Sequence, residues 1–258
     1  MALEEMDRIK AKISQIKENN VKKTIALVLL FTVVSYVLVI MSVTIIPNLQ
    51  YKLHYKRAND KYSSSIRAAS VGDTIKFGRY EQDNDFSNGV EEIEWIVLID
   101  EGNRLGVISK YALERQPYDT SFLNVLWGNC YLRKWLNETF LNTAFDSGEQ
   151  TLIQRSTVTG DYVFLLSLDE ATYFFGQDND RQCQGTAYCD AQDRTTILDE
   201  NKPITESNGN CWWWLRTSSG YSYRCADAVS GDGAIIIDNV IASSNGAVRP
   251  AMWINLES

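Results

Sequence analysis

The chain has 258 residues and a net charge of −8. This charge is unevenly divided, because the first 67 residues carry 11 basic and 5 acidic side chains while the rest carries 14 basic and 28 acidic ones. An acidic body of this kind repels phosphate backbones, so the composition argues against nucleic acid as a partner.

The first 23 residues form a polar tail with apolar side chains at spacings of three and four, which is typical of one face of a helix. These side chains are Met6, Ile9, Ile13 and Ile16. Two heptads are too few for a stable coiled coil, so the pattern favours a short helix leading into the next segment. A tail of this length is too short for a catalytic domain.

Residues 24–46 contain no charged side chain over 23 positions. At about 1.5 Å per residue, such a helix crosses the roughly 30 Å hydrocarbon core of a membrane. A cleaved signal peptide is the alternative, but its apolar stretch is about 7 to 15 residues long and ends at a small-residue cleavage site. The sequence therefore predicts one uncleaved transmembrane helix over residues 24–46.

Basic side chains on both sides of this helix predict its orientation. Six precede it and four follow it within a comparable distance. Because basic residues accumulate on the cytoplasmic side, this difference favours a cytoplasmic N-terminus. Together with the acidic body, it predicts a single-pass protein of the cell membrane, with a cytoplasmic tail over residues 1–23 and an extracellular C-terminal domain.

Residues 47–70 are polar and serine-rich, which predicts a stalk, and residues 71–258 are long enough for one extracellular domain. Alternating apolar residues predict strands over Thr74–Tyr80 and around residues 93–99, with a return strand after the turn at residues 101–103.

The middle of the domain shows helical signals. Shared apolar spacing predicts a helix over residues 130–145, and capping boxes predict two more, from Ser147 with Gln150 and from Ser167 with Glu170. A short strand is predicted near residues 162–166, and residues 177–210 are predicted to be irregular. Strands at both ends with helices between them predict an α+β fold.

Four ordered motifs carry a resemblance to a known family: Val71-Gly72-Asp73-Thr74, Leu132-Arg133-Lys134-Trp135-Leu136-Asn137, Trp213-Trp214-Leu215-Arg216 and Val248-Arg249-Pro250-Ala251. On these residues, the span 71–256 resembles a family of uncharacterised bacterial envelope domains, a domain of unknown function. The closing pattern of Trp-rich strand, Gly-rich turns and Val-Arg-Pro is similar to the C-type-lectin-like fold, which also houses the formylglycine-generating enzymes. The resemblance implies a fold and a location, and it implies no reaction.

Histidine and cysteine limit the chemistry that the domain can perform. The single histidine, His54, lies in the predicted stalk, so the sequence predicts no His-based triad or metal cluster in the domain. No cysteines form a CxxC pair. The alternatives for Cys183 and Cys211 are a disulfide that closes the irregular region or buried free thiols.

Acidic residues after the first strand are spaced somewhat like a calcium loop, with Asp83, Asp85 and Ser87 followed by Glu94 at the twelfth position. Gly89 lies one position too late for that loop, so a charged hairpin turn is the preferred interpretation. The sequence predicts no metal and no cofactor.

The run Trp212–Trp214 is the strongest binding signal in the domain. Strand alternation places Trp212, Trp214 and Arg216 on one face, where aromatic rings and a guanidinium suit sugar rings or peptide segments. The alternative is that these tryptophans belong to the core.

These signals favour a non-catalytic recognition module for an unknown extracellular ligand, either a glycan or a protein. Two alternatives stay open: a carboxylate-dependent hydrolase of cell-wall polymers, and a structural subunit of an envelope complex.

Overall fold

The computed structural model describes residues 2–121, 126–192, 209–218, 225–241 and 245–256. The chain forms two compact units, Met1–Leu53 and His54–Ser258.

The first unit is helical. Helix α1 spans Ala2–Ile40, a π-helical turn follows at Met41–Ile45, and helix α2 spans Ile46–Arg67. The π turn ends two residues before Pro47, whose missing N–H and bulky ring disturb the regular hydrogen-bond pattern. The continuous helix formed by α1, the π turn and α2 is, among the described residues, the one helix long and apolar enough to cross a membrane, as predicted.

The second unit begins inside α2, at His54, whereas the sequence predicted a stalk over residues 47–70 and a domain start at Val71. The stalk and the domain are therefore divided differently from the prediction. The physical reason is an apolar stripe at four-residue intervals, which places three side chains of α2 on one helical face and in the core. The three buried side chains are Ala58, Tyr62 and Ile66.

Eleven strands are present among the described residues. In chain order they are β1 (Thr74–Tyr80), β2 (Glu91–Asp100), β3 (Arg104–Ser109), β4 (Glu114–Pro117), β5 (Ile153–Gln154), β6 (Val163–Phe164), β7 (Trp213–Trp214), β8 (Cys225–Val229), β9 (Ile235–Ile241), β10 (Asn245–Val248) and β11 (Ala251–Asn255). The predicted strands at β1, β2 and β3 are confirmed.

The strands form two sheets. The first is antiparallel in the order β1-β2-β3-β11, and both β5 and β6 pair with the far side of β11. The second has the order β4-β10-β7-β8-β9, in which β10 and β7 are parallel and the other pairs antiparallel. The C-terminal strand β11 therefore lies at the centre of the first sheet.

Helices lie between the strands, as an α+β fold requires. They are α3 (Tyr131–Trp135), a π turn at Leu136–Phe140, α4 (Leu141–Ala144), α5 (Ser147–Leu152), α6 (Leu168–Phe174), α7 (Asp178–Arg181) and α8 (Ala187–Ala191), with a 3₁₀ turn at Trp127–Asn129. The stretch from α3 to α4 confirms the predicted helix over residues 130–145. The strand predicted near residues 162–166 is reduced to the two residues of β6.

The two predicted capping boxes have different outcomes. Ser167 accepts from the backbone N–H of Glu170, whose side chain accepts from the Ser167 N–H, so this box is confirmed at the start of α6. At α5 the box is one residue earlier than predicted. There the Asp146 carboxylate accepts hydrogen bonds from the backbone N–H groups of Gly148 and Glu149, both at 2.8 Å. The Glu149 side chain in turn accepts a hydrogen bond from the Asp146 N–H. A carboxylate accepts both bonds at once, which explains its place at the cap.

Two apolar clusters cover opposite faces of the first sheet. In β2, alternate residues belong to the larger cluster, where α2 and the α3–α4 stretch pack: Ile93, Trp95 and Val97. The second cluster gathers around Ile108, Phe164 and Trp213. Because both faces of the sheet are covered, little of its central part is open to a ligand.

Candidate functional site

The run Trp212–Trp214 alternates as predicted, but both of its faces are covered. The rings of Trp212 and Trp214 meet edge to face at 4.9 Å, so these two side chains do share a side. Trp213 lies in the second apolar cluster and Trp214 in the larger one, and both are fully buried. Each indole donates to a backbone carbonyl, Trp213 to Arg181 at 3.0 Å and Trp214 to Gln116 at 2.9 Å.

The side chain of Arg216 is also occupied by contacts within the domain. Its guanidinium pairs with both carboxylate oxygens of Glu170, one at 2.7 Å, and donates to the Leu165 carbonyl at 2.8 Å. The structure therefore brings Trp212, Trp214 and Arg216 together. Of the two tryptophans, Trp212 is partly exposed and Trp214 is buried. The predicted open aromatic face is not what these side chains form.

The resemblance motif at residues 132–137 is structural in the same way. Leu132, Trp135 and Leu136 lie in the core. Arg133 forms an ion pair with the buried carboxylate of Asp161 at 2.7 Å. Asn137 bonds to the backbone of β6, donating to Val163 at 2.8 Å. These residues fix the α3–α4 stretch against the first sheet.

The five cysteines are free thiols, and Cys183 and Cys211 lie opposite each other. The neighbouring residues Gln184 and Asn210 form an antiparallel bridge, and the Cys211 N–H donates to the Cys183 carbonyl at 2.8 Å. Burial raises the pKa of a thiol. At Cys183, however, the hydrogen bond with Cys211 and the charge of Arg249 lower the pKa to about 7. The predicted pair is thus close in space, and its disulfide stays a prediction.

The single histidine belongs to the folded unit rather than to a separate stalk. His54 Nδ1 lies 3.3 Å from the hydroxyl of Ser147. Among the described residues, no carboxylate hydrogen-bonds to the imidazole, so the pair lacks the third group that orients a catalytic histidine. The sequence placed His54 outside the domain, whereas the structure places it inside the second unit. Its contact is with Ser147, the first residue of α5.

The calcium-loop interpretation of residues 83–94 is not supported by the strand pairing. Glu94, its expected last ligand, is engaged with Lys110 at 2.8 Å. The loop itself is held by Asp83 and Asp85, which accept from backbone N–H groups two residues later. Glu91 is the carboxylate that approaches Asp83, because it begins β2 opposite the end of β1.

A polar depression of about 470 Å³ lies over the outer face of β1 and β2, and we call it the hairpin recess. A β-bulge between Lys76 and Arg79 brings both cations to this face, opposite the carboxylates of β2. Its lining includes Lys76, Arg79, Glu91, Glu92, Glu94 and Tyr111. A neighbouring recess of about 630 Å³ shares three of these side chains, so a charged surface extends toward the end of α2.

Charges within the hairpin recess are only partly neutralised. Lys76 pairs with Glu92 at 3.5 Å, and Lys110 pairs with Glu94 at 2.8 Å. Arg79 is exposed and has no ion pair within the described part of the chain.

A third cavity, between Trp253 and Phe174, is apolar and holds about 60 Å³, room for only about two waters. The hairpin recess is therefore the better candidate for a ligand.

The geometry defines an α+β domain that follows one long apolar helix in the chain. Residues 102–256 match the family described as Domain of unknown function (DUF6273), and since this span is more than half of the chain, the chain belongs to that family. The match begins after β2, so most of the hairpin recess lies outside it. No curated protein and no solved structure matches the chain.

Proposed function

We propose that this chain is a single-pass membrane protein that holds a C-type-lectin-like recognition domain outside the cell. The domain binds a polar extracellular ligand, a glycan or a protein segment, without converting it. The hairpin recess carries this proposal, because it combines the unpaired guanidinium of Arg79, the ammonium of Lys76 and three carboxylates on a two-stranded support. Such convergent polar groups on regular elements are suited to recognition.

The charge pattern favours recognition over hydrolysis. A glycosidase needs two carboxylates facing across the scissile bond, one as acid and one as nucleophile or base. In the hairpin recess, Glu92 and Glu94 lie side by side on one face of β2, and each is paired with a lysine. Arg79 is left free to engage a carboxylate or a hydroxyl-rich ligand through its planar fork of donors.

Binding is tested with the full chain in detergent micelles on a glycan array and on an array of wall and protein-derived peptides. Arg79→Ala should lower affinity for the recognised class at least about tenfold, since it removes a charge-assisted contact. Lys134→Ala is the matched control, because Lys134 is an exposed cation on α3 far from β1 in sequence. Failure to bind either array, or full binding by the Arg79 variant, argues against the recess.

Location is tested separately, with tags at both ends and protease added to intact cells. The charge counts predict loss of the C-terminal tag and retention of the N-terminal one. The reverse pattern overturns the proposed topology without affecting the recess.

A further inference from the structure

The hairpin between β1 and β2 also gathers three carboxylates at one point. Glu81 follows the end of β1, Asp83 lies in the connecting loop, and Glu91 begins β2. One oxygen from each lies within 4.8 Å of the other two. The pairing of Tyr80 with Glu91 explains the approach, because it sets the first residues of the loop beside the start of β2.

Glu81 is the unusual member of the three. Glu81 is only 7% exposed, and within the described part of the chain neither of its carboxylate oxygens has a hydrogen-bond partner. Among the described residues, no lysine or arginine forms an ion pair with Glu81, Asp83 or Glu91. A buried carboxylate is ordinarily paired or coordinates a metal, because desolvation of an isolated charge is costly. Glu81 meets two further anions instead.

From this geometry we infer that Glu81, Asp83 and Glu91 bind a hard divalent cation of the calcium class. The donors are carboxylate oxygens, the ligands that Ca²⁺ and Mg²⁺ prefer over softer metals. Glu81 is a buried carboxylate with no counter-charge among the described residues. A bound cation supplies that counter-charge.

The other two carboxylates are already held in position. Asp83 accepts from the Asp85 N–H at 2.8 Å and from the Asn88 amide at 2.7 Å, and Glu91 accepts from the Gln82 N–H at 2.8 Å. These bonds leave further lone pairs on the carboxylates for a metal, and such supporting contacts orient ligands in metal sites. Asp83 is exposed and Glu91 half-buried, so water completes the coordination shell.

Calcium is favoured over magnesium because of the shape of the site. Ca²⁺ accepts six to eight oxygens in flexible geometry, including two from one carboxylate, whereas Mg²⁺ requires a near-ideal octahedron. A ligand set divided between a strand end, a loop and a second strand suits the flexible geometry. The inference goes beyond the proposed function and does not depend on it, although Glu91 also borders the hairpin recess.

The test is a titration of the full chain in detergent with CaCl₂, MgCl₂ or MnCl₂, followed by calorimetry and by melting temperature, against NaCl of equal ionic strength. We expect CaCl₂ to raise the melting temperature of the parent protein. Glu81→Gln should melt higher than the parent in chelator, because it removes an unpaired buried charge, and should lose the response to calcium. Its affinity for calcium should fall by at least about tenfold.

Two further variants keep the test decisive. Asp83→Asn changes an exposed ligand and should weaken binding similarly if Glu81→Gln does not fold. Glu138→Gln changes an exposed carboxylate outside the cluster and should respond like the parent. If none of the three cations binds at up to about 5 mM, the three carboxylates do not form a cation site and the inference is wrong. Calcium binding that persists in both cluster variants overturns it as well.

Discussion

The guanidinium of Arg216 forms an ion pair with the carboxylate of Glu170. This pair links the residues that follow β7 to the first turn of α6. One bond measures 2.7 Å, and the same carboxylate accepts from the backbone N–H of Ser167 at 3.0 Å. Both side chains are shielded from water, with 11% of Arg216 and 29% of Glu170 exposed. Glu170 therefore serves a helix cap and an ion pair at once, and Arg216 holds the second sheet against α6.

Glu170→Gln should lower the free energy of unfolding by about 1.5 to 3 kcal/mol, the usual contribution of hydrogen bonds to charged groups. Glutamine keeps one acceptor for the cap but loses the charge that Arg216 requires. Asp169→Asn is the control, since Asp169 is exposed in the same helical turn and should cost less than about 1 kcal/mol. Equal losses in urea denaturation for both variants would show that the pair contributes little.

Trp214→Ala should cost about 3 to 5 kcal/mol, because it removes a fully buried ring and leaves a cavity. Trp212→Ala removes the same type of residue from a half-buried position and should cost less. Chemical denaturation of both variants gives the comparison, and ligand arrays test binding alongside. A small loss for Trp214→Ala with abolished binding would restore the aromatic face as the ligand site.

Gly246 lies close to the same rings, inside strand β10. A Cβ at this position would overlap the rings of Trp212 and Trp214, so only glycine allows β10 to pass beside them. The strand alternation of the tryptophans was predictable from local periodicity. Coverage of both faces was not, because it depends on residues distant in sequence, such as Phe175 and Gln116.

Glu114 should make stability depend on pH. Burial raises the pKa of its carboxyl above the ordinary 4.5, although the Tyr80 hydroxyl at 2.7 Å and the Arg115 N–H at 3.2 Å act in the opposite direction. The folded state therefore holds the proton more tightly than the unfolded state. This contribution to stability is complete below pH 4.5 and is lost as pH rises through the folded pKa.

Glu114→Gln has no proton to lose and still accepts a hydrogen bond from Tyr80. As pH rises above 4.5, the free energy of unfolding of the variant should gain on that of the parent. Urea denaturation at several pH values measures the difference. A difference that does not change with pH would contradict the raised pKa.

Cys183 and Cys211 should be oxidised to a disulfide when the protein is purified without reductant in air-saturated buffer, where dissolved oxygen accepts the two electrons and two protons. Directly opposed residues in an antiparallel pair have Cα atoms about 4.5 to 5.5 Å apart, within the range that a disulfide spans. Peptide mapping after alkylation should recover the 183–211 link.

Cys189→Ser is the control for this pairing. Burial raises the pKa of the Cys189 thiol, and the variant should keep the link, whereas Cys211→Ser should lose it. Recovery of both thiols alkylated in the parent protein, or of a link through Cys189, would contradict the prediction. The pair was predictable because Cys183 and Cys211 lie at either end of a segment whose composition predicts an irregular loop, while the bridge that aligns them was not visible in the sequence.

The domain boundary shows where sequence analysis was incomplete. Ala58, Tyr62 and Ile66 follow the four-residue spacing of a helical face, but polar neighbours on the other faces lowered the apparent hydrophobicity and indicated a stalk. The carboxylate cluster was missed for another reason. Glu81 and Glu91 are ten residues apart, and only the register of β1 with β2 brings them together. Periodicity predicts single elements, whereas pairing register requires the fold.

A fragment of residues 54–258 should therefore fold cooperatively, and a fragment of residues 71–258 should be much less stable. The shorter fragment lacks Tyr62 and Ile66, each of which contributes about 1.5 to 3 kcal/mol through burial. It also loses the edge-to-face contact of Tyr62 with Phe77 at 5.0 Å and the hydrogen bond from Tyr62 to Glu149. Since domains are stable by only about 5 to 15 kcal/mol, this loss is a large share of the total.

Denaturant unfolding of both fragments, followed by fluorescence and circular dichroism, measures the difference. In the full chain, Ile66→Ala should cost about 2 to 5 kcal/mol, because Ile66 is only 2% exposed. Ser64→Ala changes an exposed neighbour on the same helix and should alter stability by less than about 0.5 kcal/mol. Equal unfolding midpoints for the two fragments would return α2 to the role of a stalk and place the domain boundary at Val71.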